Sequence, residues 1–355
     1  MTNMRMTIEG IGAVGAFGGG ADALAVAVRN GIRPALSIAE VITKEGTRRL
    51  PIYRASTEGL EEFFAKRELR RIDHYAKMAL LSASLALKDA RNSGEKRGAT
   101  GVIVATGYGP HRTTFGFLDS FIKEGNAFAS PTLFASSVHN AAAAYATILL
   151  EERGPSLTVS QFEMSVSSAL LTAWCWLEEE RVDAVLLGAV DEYSDVLGYC
   201  WQRYLGTQES NEAEMRPLEF ERQSAIPGEG SVFLLLRRNE NQGRYCCIRG
   251  VDMGFADHGR IDLPEKSLLF LGADGMRETG RLYPPHLSGR NNYFCHAPTY
   301  GSLPIGPAFD IAIAAHKIGD GTHLETDEGA FPEKTIGCLK IGRQGEFSLV
   351  TLARE

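Results

Sequence analysis

The stretch GPSLTVSQFEMSVSSALLTAWCWLEEERVDAVLLGAVDE, residues 154–192, has the layout of a strand, a sharp turn, a buried helix and a second strand. SLTVS and DAVLLGAV predict the two strands, and the residues between them predict the helix. Proteins often place a nucleophile at such a turn, but this turn carries Gln161, Phe162 and Glu163. A carboxylate therefore stands where a thiol or a hydroxyl would be expected.

The composition is that of a globular protein with a sizeable core. The chain has 355 residues, of which 44% are hydrophobic and 23% charged, enough for one large or two medium domains. The formal net charge is −7 without a long basic run, which argues against a nucleic-acid partner. The sequence contains no uninterrupted run of about 18 apolar residues, so no membrane span is expected. The N-terminus lacks the apolar core of a signal peptide, so a cytoplasmic location is expected.

The cysteines and histidines give no sign of a metal or cofactor site. The six cysteines form no C-x-x-C pair, and most lie inside apolar runs. They are interpreted as small buried hydrophobic residues in a reducing compartment. The eight histidines are scattered and show no H-E-x-x-H spacing. We expect neither a metal nor a cofactor.

Short apolar runs bounded by glycine alternate with longer helical patterns, which is typical of an α/β architecture with buried strands. TIEGIGAVGAFG and TGVIVATGYG predict strands, whereas RIDHYAKMALLSASLALKDA and VHNAAAAYATILLEE predict helices. A polar stretch, RRNENQGR, then separates strand GSVFLLLRR from a second series formed by YCCIRGVDMGF, LLFLGADG, PAFDIAIAAHKI, TIGCLKIG and EFSLVTLA. The sequence predicts two similar α/β halves, residues 1–240 and a shorter 241–355.

Four segments in order carry a resemblance to a known family. They are IEGIGAVGAFGGGADAL, GPSLTVS, VDAVLLGAVDE and RPLEFERQSAIPGEGSVFLLL. Together they resemble the β-ketoacyl synthase family, strongly in the first half and in fragments in the second. The resemblance implies the thiolase fold, in which two α/β halves pack as a layered α-β-α-β-α core.

The same resemblance implies what the catalytic positions should hold. A family member uses a cysteine at the start of a buried helix, activated by the helix dipole, together with two histidines and a lysine. The spacing from Gly154 to Gly188 fits the family pattern without a gap and puts Glu163 at the cysteine position. Asp274 stands at the first histidine, Ala297 near the lysine, and Gly345 nearest to the second histidine. The sequence therefore predicts no catalytic residue at these positions.

Three roles remain open for Glu163. The first is to stabilise the helix start, where an anion gains about 0.3–1 kcal/mol. The second is to plug the former oxyanion site by hydrogen-bonding backbone amides, and the third is a chemical role. His286 and His296 are the nearby histidines that could replace the lost ones. Neither lies in a recognisable loop.

Within the family, the chain most resembles the chain-length factor, the inactive subunit of a two-subunit ketosynthase. Such factors often carry glutamine at the cysteine position, so Glu163 departs from that pattern. The resemblance implies a heterodimer with an active ketosynthase through an apolar interface that includes strand 156–160, in an iterative polyketide or polyene pathway. An acyl carrier protein with the growing chain would dock mainly on the partner.

The residues expected to line the shared acyl tunnel or the interface come from three segments. TGYGPHRTTFGF resembles the base of the family's acyl pocket, which makes Tyr108 the leading gate candidate. SPTLFASSVHN resembles the loop that faces the partner's active site. The further candidates are Phe115, Phe117, Leu133, Phe134, Gln161 and Phe162. Ordinary core packing is the alternative for each of them.

Two other functions are compatible with the sequence. The chain could be a stand-alone ketosynthase-like decarboxylase or acyl hydrolase with Glu163 or Asp274 as general base. That chemistry would require a raised carboxylate pKa in an apolar pocket. The chain could also be a purely structural homodimer without a ligand.

Overall fold

The computed structural model describes residues 5–90, 98–126, 129–204, 213–238, 244–256, 261–264, 267–320, 325–326, 329–330 and 335–354. The strands in chain order are β1 (Met6–Gly15), β2 (Gly18–Gly19), β3 (Ser37–Thr43), β4 (Gly46–Ile52), β5 (Thr100–Thr106), β6 (Ser156–Ser160), β7 (Ala184–Asp191), β8 (Gly230–Arg238), β9 (Cys247–Phe255), β10 (Leu268–Leu271), β11 (Tyr293–Phe294), β12 (Glu325–Thr326), β13 (Gly329–Ala330), β14 (Thr335–Ile341) and β15 (Glu346–Ala353).

The helices are α1 (Ala21–Arg29), α2 (Lys66–Leu69), α3 (His74–Ala90), α4 (His111–Glu124), α5 (Pro131–Ser136), α6 (Ala141–Leu149), α7 (Ser165–Glu178), α8 (Asp195–Tyr204), α9 (Arg277–Gly280), α10 (Pro284–Leu287), α11 (Ala297–Tyr300) and α12 (Gly306–Asp320). Two single turns of 3-10 helix lie at Leu60–Glu62 and Phe162–Met164.

The main sheet consists of two five-stranded units with the same topology. Its order is β11-β10-β14-β15-β9-β1-β8-β7-β5-β6. We number the five strands of each unit in chain order: β1, β5, β6, β7 and β8 in the first unit, and β9, β10, β11, β14 and β15 in the second. In both units the third of these strands lies at the outer edge of the sheet, followed inwards by the second, fourth, fifth and first. The three outer strands run parallel to one another, and the inner two are antiparallel to their neighbours. The predicted α/β fold of two similar halves is confirmed.

The two units join where their first strands meet. Met6 pairs with Ile248 and Thr7 pairs with Cys247, so the two units form one continuous sheet, to which the short β2 adds an eleventh strand beside β1. The chain passes from the first unit to the second between β8 and β9. The division placed after residue 240 lies outside the described residues and stays a prediction.

Alternate side chains of each strand contact different helical layers, because successive residues of a strand point to opposite faces of the sheet. Val185 and Leu187 of β7 share one apolar cluster with α7 and α12, whereas Leu186 faces a second cluster with α3 and α6. In the second unit, Phe270 of β10 joins the shared central cluster, and Leu269 packs against a third cluster with α10. The central helices α7 and α12 thus lie between the two units, as the predicted layered core requires.

Helix α3 lies directly on β1 because both surfaces are made of small residues. A Cβ atom added at Gly12 would come within 1.9 Å of the Ser82 carbonyl oxygen, and one at Gly10 within 2.3 Å of the Ala86 carbonyl oxygen. The glycines in IEGIGAVG are therefore needed for this close approach.

The hairpin β3–β4 and the helix α8 were not among the predicted elements. They form a small core of their own, in which Val41 and Ile52 of the hairpin pack with Tyr193 and Trp201. Within the part of the chain that the structure describes, no helix is both long and apolar enough to cross a membrane.

Candidate functional site

The turn between β6 and α7 is held in a single, unusual backbone conformation. Phe162 has a positive φ of 49°, which is uncommon for a residue with a side chain. The hydroxyl of Ser165 accepts a hydrogen bond from the backbone N–H of Gln161 at 2.7 Å, and it donates to the backbone carbonyl of Thr106 at 2.9 Å. The Ser165 side chain thus ties the turn to the end of β5 and fixes the position of Glu163, which follows Phe162 in this turn.

Glu163 points into the protein at the beginning of α7, with a relative exposure of 6%. Burial raises the pKa of its carboxyl group above the usual value, while the positive charges of Lys340 and Arg343 act in the opposite direction. The negative charge of Asp274 raises the pKa further. We call these four charged residues the charge cluster: the acids Glu163 and Asp274 and the cations Lys340 and Arg343.

Asp274 and Lys340 form the buried ion pair of the charge cluster. Lys340 Nζ lies 3.3 Å from Asp274 Oδ2 and donates to the Gly272 carbonyl oxygen at 2.9 Å, with a side-chain exposure of 2%. The other carboxylate oxygen, Asp274 Oδ1, accepts the backbone N–H of Met276 at 3.2 Å. Both oxygens of Asp274 are thus engaged within the chain.

Tyr108 lies beside the charge cluster on a turn that a single carboxylate holds in place. Asp191 accepts hydrogen bonds from the Thr106 hydroxyl at 2.7 Å and from the Tyr108 backbone N–H at 2.8 Å. Gly109 has a φ of 72°, and a Cβ atom there would lie 2.5 Å from the ring of His139. The glycine is therefore required by a close approach within the chain itself.

The Tyr108 ring belongs to a row of aromatic side chains. Phe162 meets it edge-on with ring centres 5.5 Å apart, and the centre of the His111 ring lies 5.8 Å from that of Tyr108. Phe115 extends the row beyond His111 at 5.9 Å. Burial of the ring, followed by the negative charges of Asp191 and Glu163, raises the pKa of the Tyr108 phenol, so the hydroxyl stays protonated.

The remaining tunnel and interface candidates lie apart from this row. Phe117 on α4 contacts Phe134 on α5 with ring centres 5.4 Å apart, and Phe134 is 59% exposed. Leu133 is half-buried at the start of the same helix, where its backbone N–H donates to Ser130 Oγ. Gln161 is exposed, and its side-chain oxygen accepts from Ser168. These residues lie towards the outer surface.

The other positions assigned to lost catalytic residues hold no reactive group. Ala297 is buried in the central core at the first position of α11. Gly345 lies between β14 and β15 with a φ of 81°, and its carbonyl oxygen accepts the backbone N–H of Ala256.

Neither nearby histidine joins the charge cluster. His296 packs against the Phe270 ring at 4.4 Å, and its Nδ1 lies 3.6 Å from Asp310 Oδ1. The backbone N–H of Ile261 lies 3.2 Å from His286 Nδ1. Both histidines have contacts typical of structural residues.

Sequence reasoning missed Lys340, Arg343, Asp191 and Glu192. A lysine inside the apolar strand TIGCLKIG was the available signal for the first, and the acidic pair ending GAVDE was the signal for the last two. Glu192 accepts the backbone N–H of Arg112 at 2.9 Å near the start of α4. Burial, followed by the negative charge of Asp73, raises its pKa to about 8.

The charge cluster offers no nucleophile of the kind that acyl transfer needs. A carboxylate at position 163 would give an anhydride, which is too labile to hold a growing chain. The thiol of Cys295 lies close by and donates to the Ala273 carbonyl oxygen at 2.9 Å, but burial raises its pKa and keeps it protonated. Among the described residues, no group of three or more histidine, cysteine or acidic side chains is placed to bind a metal ion.

A comparison with protein families decides the affiliation of the chain. The model of the β-ketoacyl synthase N-terminal domain matches residues 41–242, which is more than half of the chain. The chain belongs to the β-ketoacyl synthase family. A 3-oxoacyl-[acyl-carrier-protein] synthase 2 of Staphylococcus aureus (strain MRSA252) is 23% identical over 266 residues, which cover 72% of this chain and 63% of that relative. The match thus spans less than two thirds of the relative's length.

Solved structures of β-ketoacyl synthases share the fold over nearly the whole chain. A β-ketoacyl synthase from Burkholderia phymatum STM815 superimposes with a TM-score of 0.79 at 15% identity, covering 99% of this chain and 100% of that chain. A chain from the complex of a ketosynthase with its chain length factor from Xenorhabdus doucetiae gives 0.77 at 13% identity, with 99% and 98% covered. The ishigamide ketosynthase/chain length factor gives 0.74 at 17% identity, with 99% of each chain covered. The thiolase-like fold is confirmed.

Proposed function

We propose that the chain is a non-catalytic chain-length factor, which pairs with an active ketosynthase and shapes the acyl tunnel of the pair. The observation that carries the proposal is Glu163, a buried carboxylate at the start of α7, in the position that the family resemblance assigns to the nucleophilic cysteine. The ion pair with Lys340 supports the proposal, because it engages Asp274, the residue that the resemblance assigns to the first histidine position. The heterodimer would work in iterative polyketide or polyene synthesis, with the acyl carrier protein docking mainly on the partner.

An exposed apolar surface supports pairing with another subunit. Strand β6 is an edge strand, because it pairs only with β5 in the part of the chain that the structure describes. Such an edge offers unpaired backbone groups to a partner strand. Large apolar side chains are also exposed on α4, on α5, just after α5 and on β6 itself, and we call them the α4–β6 face: Leu118, Phe121, Ile122, Phe134, Val138 and Leu157.

The proposal is tested by asking whether the isolated chain accepts an acyl group. After incubation with acyl-loaded carrier protein, intact-protein mass spectrometry is expected to show no adduct on this chain, because Glu163 lacks the required nucleophilicity. The intact ketosynthase, treated in the same way, provides the positive control. A stable acyl adduct on Glu163 would sink the proposal.

The variant Glu163→Cys refines this test. We expect it to remain unable to condense malonyl units, since Asp274, Ala297 and Gly345 supply no imidazole or ammonium group. Condensation by the isolated single variant at a rate near that of the intact ketosynthase would contradict the assignment of the lost positions.

Tyr108 is expected to limit the length of the product. The residue is 8% exposed and its ring contacts both Phe162 and His111, so Tyr108→Ala would open a space the size of a phenol ring beside them. We expect products longer by about two or more chain carbons at near-normal heterodimer yield, read by mass spectrometry. The fold itself would lose about 3–5 kcal/mol if the ring served only as core.

A matched control separates these two outcomes. Tyr53 is equally buried, at 3% exposure, but lies outside the aromatic row. Tyr53→Ala is expected to lower the yield without changing product length. An unchanged product distribution from a well-folded Tyr108→Ala heterodimer would falsify the gating role.

The raised pKa of Glu163 favours a second candidate, a ketosynthase-like decarboxylase or acyl hydrolase, in which this group would protonate the enolate left by loss of CO2 or, as a carboxylate general base, take a proton from the attacking water. Asp274 fits that role less well, because both of its oxygens are engaged by Lys340 and Met276. Release of CO2 from malonyl carrier protein by the isolated chain, abolished in Glu163→Gln, would favour this candidate over the non-catalytic one.

A further inference from the structure

Two carboxylates from different parts of the chain hold the first turn of helix α4. Asp73, which directly precedes α3, accepts the Thr113 hydroxyl through Oδ2 at 2.6 Å. Glu192, which directly follows β7, accepts the backbone N–H of Arg112 through Oε1 at 2.9 Å. Because Arg112 and Thr113 are consecutive residues of α4, the two acids lie close together, and the negative charge of Asp73 acts on Glu192.

Glu229 adds a third carboxylate to this region. Its Oε2 accepts the backbone N–H of Tyr193, the residue after Glu192, at 3.1 Å, and its Oε1 lies 3.1 Å from His74 Nε2. Arg54 adds a positive charge 3.9 Å from the same oxygen. Burial acts to raise the pKa of Glu229, but its hydrogen bonds and the charges of its neighbours outweigh burial and hold the pKa below its usual value. Glu229 therefore stays ionised at neutral pH, as a second negative charge that acts on Glu192.

Glu192 differs from the other two acids in having an oxygen atom without a partner. Both oxygens of Asp73 and both oxygens of Glu229 are engaged by described residues. Glu192 is 1% exposed, and its Oε2 makes no hydrogen bond with any described residue. An ionised carboxylate without a partner is much more costly to bury than a neutral one, so this geometry favours the protonated form of Glu192.

Acids and bases of several segments surround Glu192. They are Asp73, His74 and Tyr75 from the start of α3, Arg54 from the segment after β4, Arg112 from α4, Asp191 and Tyr193 from its own segment, and Glu229 from the segment before β8. Burial, followed by the negative charge of Asp73, raises the pKa of Glu192 from 4.5 to about 8, although the backbone N–H and the positive charge of Arg112 act in the opposite direction. The folded protein thus keeps this side chain protonated at neutral pH.

We propose that Glu192 is a proton-controlled contact that fixes the start of α4: the first turn stays docked while this side chain carries its proton and loosens when the proton is lost. The ionised side chain would be a third negative charge beside Asp73 and Glu229, and it could reach water only by local opening of this turn. Helix α4 carries part of the aromatic row and of the α4–β6 face, so both surfaces are sensitive to this proton. The inference stands whether or not the chain pairs with a ketosynthase.

Urea unfolding of the full chain at a series of pH values tests the proposal, with Glu192→Gln as the counterpart of the protonated acid. Because the pKa of Glu192 is higher in the folded protein than in the unfolded chain, the stability linked to this proton is fully present below about pH 4.5 and is lost as the pH rises to about 8. Relative to the wild type, Glu192→Gln is therefore expected to gain roughly a hundredfold or more in its folding equilibrium constant between about pH 5 and about pH 8. An unchanged difference between the two proteins across this range would overturn the proposal.

An exposed acid on the same helix provides the matched control. The Asp119 side chain is 64% exposed and pairs with Lys123. An exposed carboxylate is ionised throughout this pH range, so Asp119→Asn is expected to differ from the wild type by the same amount at every pH. A pH-dependent difference as large as that of Glu192→Gln would show that the effect does not come from the buried position, and the proposal would fail.

Hydrogen exchange read by mass spectrometry locates the opening. In the wild type, the amides in the first two turns of α4 are expected to lose protection between about pH 7 and about pH 9, beyond the intrinsic increase of exchange with pH. In Glu192→Gln, the same amides are expected to keep their protection. An equal loss in both proteins, or a loss confined to other segments, would contradict the assignment of Glu192 as the controlling group.

Discussion

Replacing Phe134 by aspartate is expected to weaken binding of the chain to an active ketosynthase by at least about a hundredfold, the loss typical of a central aromatic interface residue. Phe134 is 59% exposed in the isolated chain and contacts Phe117 within the α4–β6 face. A charge there would have to be buried without a partner when the subunits meet. Co-expression with an active ketosynthase, followed by size-exclusion chromatography, measures the effect.

The hairpin β3–β4 provides a matched control for this variant. Ile42 is an equally apolar side chain with 83% exposure, on a different part of the surface. Ile42→Asp is expected to leave the heterodimer intact. If Ile42→Asp dissociated the pair and Phe134→Asp did not, the partner would bind elsewhere and the α4–β6 face would have to be abandoned as the interface.

Removing the ammonium group of Lys340 is expected to cost about 3–5 kcal/mol of the free energy of unfolding. Lys340→Met preserves the length of the side chain but leaves the Asp274 carboxylate buried without its cation. It also removes a positive charge that favours ionised Glu163. Equilibrium unfolding in urea at neutral pH gives the change in free energy directly.

Two further variants make this result specific. Adding Asp274→Asn to Lys340→Met removes the unpaired charge and is expected to recover much of the lost stability. Lys123 forms an exposed pair with Asp119 at 3.1 Å on α4, and Lys123→Met is expected to cost under about 1 kcal/mol. A loss in Lys340→Met no larger than in Lys123→Met would show that the buried pair contributes little to folding.

Most of the fold could be predicted because its central strands carry their own signal. TGVIVATG and DAVLLGAV are mostly apolar, and the structure buries β5 and β7, which they form, between two helical layers. The hairpin β3–β4 was missed since its apolar side chains are covered by α8, about 150 residues later in the chain. Such long-range packing leaves no pattern within the hairpin sequence itself.

The candidate site could be predicted where it follows a strand end, as Glu163 and Asp274 do. The cations Lys340 and Arg343 were missed. The sequence of β14 does not show that its lysine gains an acidic partner when β14 pairs with β10. That pairing sets Leu339 beside Leu271 and so brings Lys340 to Gly272 and Asp274. The residues that hold Tyr108 in place were missed for the same reason, since Asp191 reaches its turn from a neighbouring strand.

The position of β1 in the sheet has a consequence for biosynthesis. This strand is synthesised before the other strands of the sheet, yet its neighbours on both sides, β8 and β9, follow more than 200 residues later in the chain. Translation at about 5–20 residues per second separates β1 from β8 by roughly ten to forty seconds. Helix α3 emerges much earlier and fits closely over Gly10 and Gly12. It can therefore shield the nascent strand from other chains until the rest of the sheet has been made.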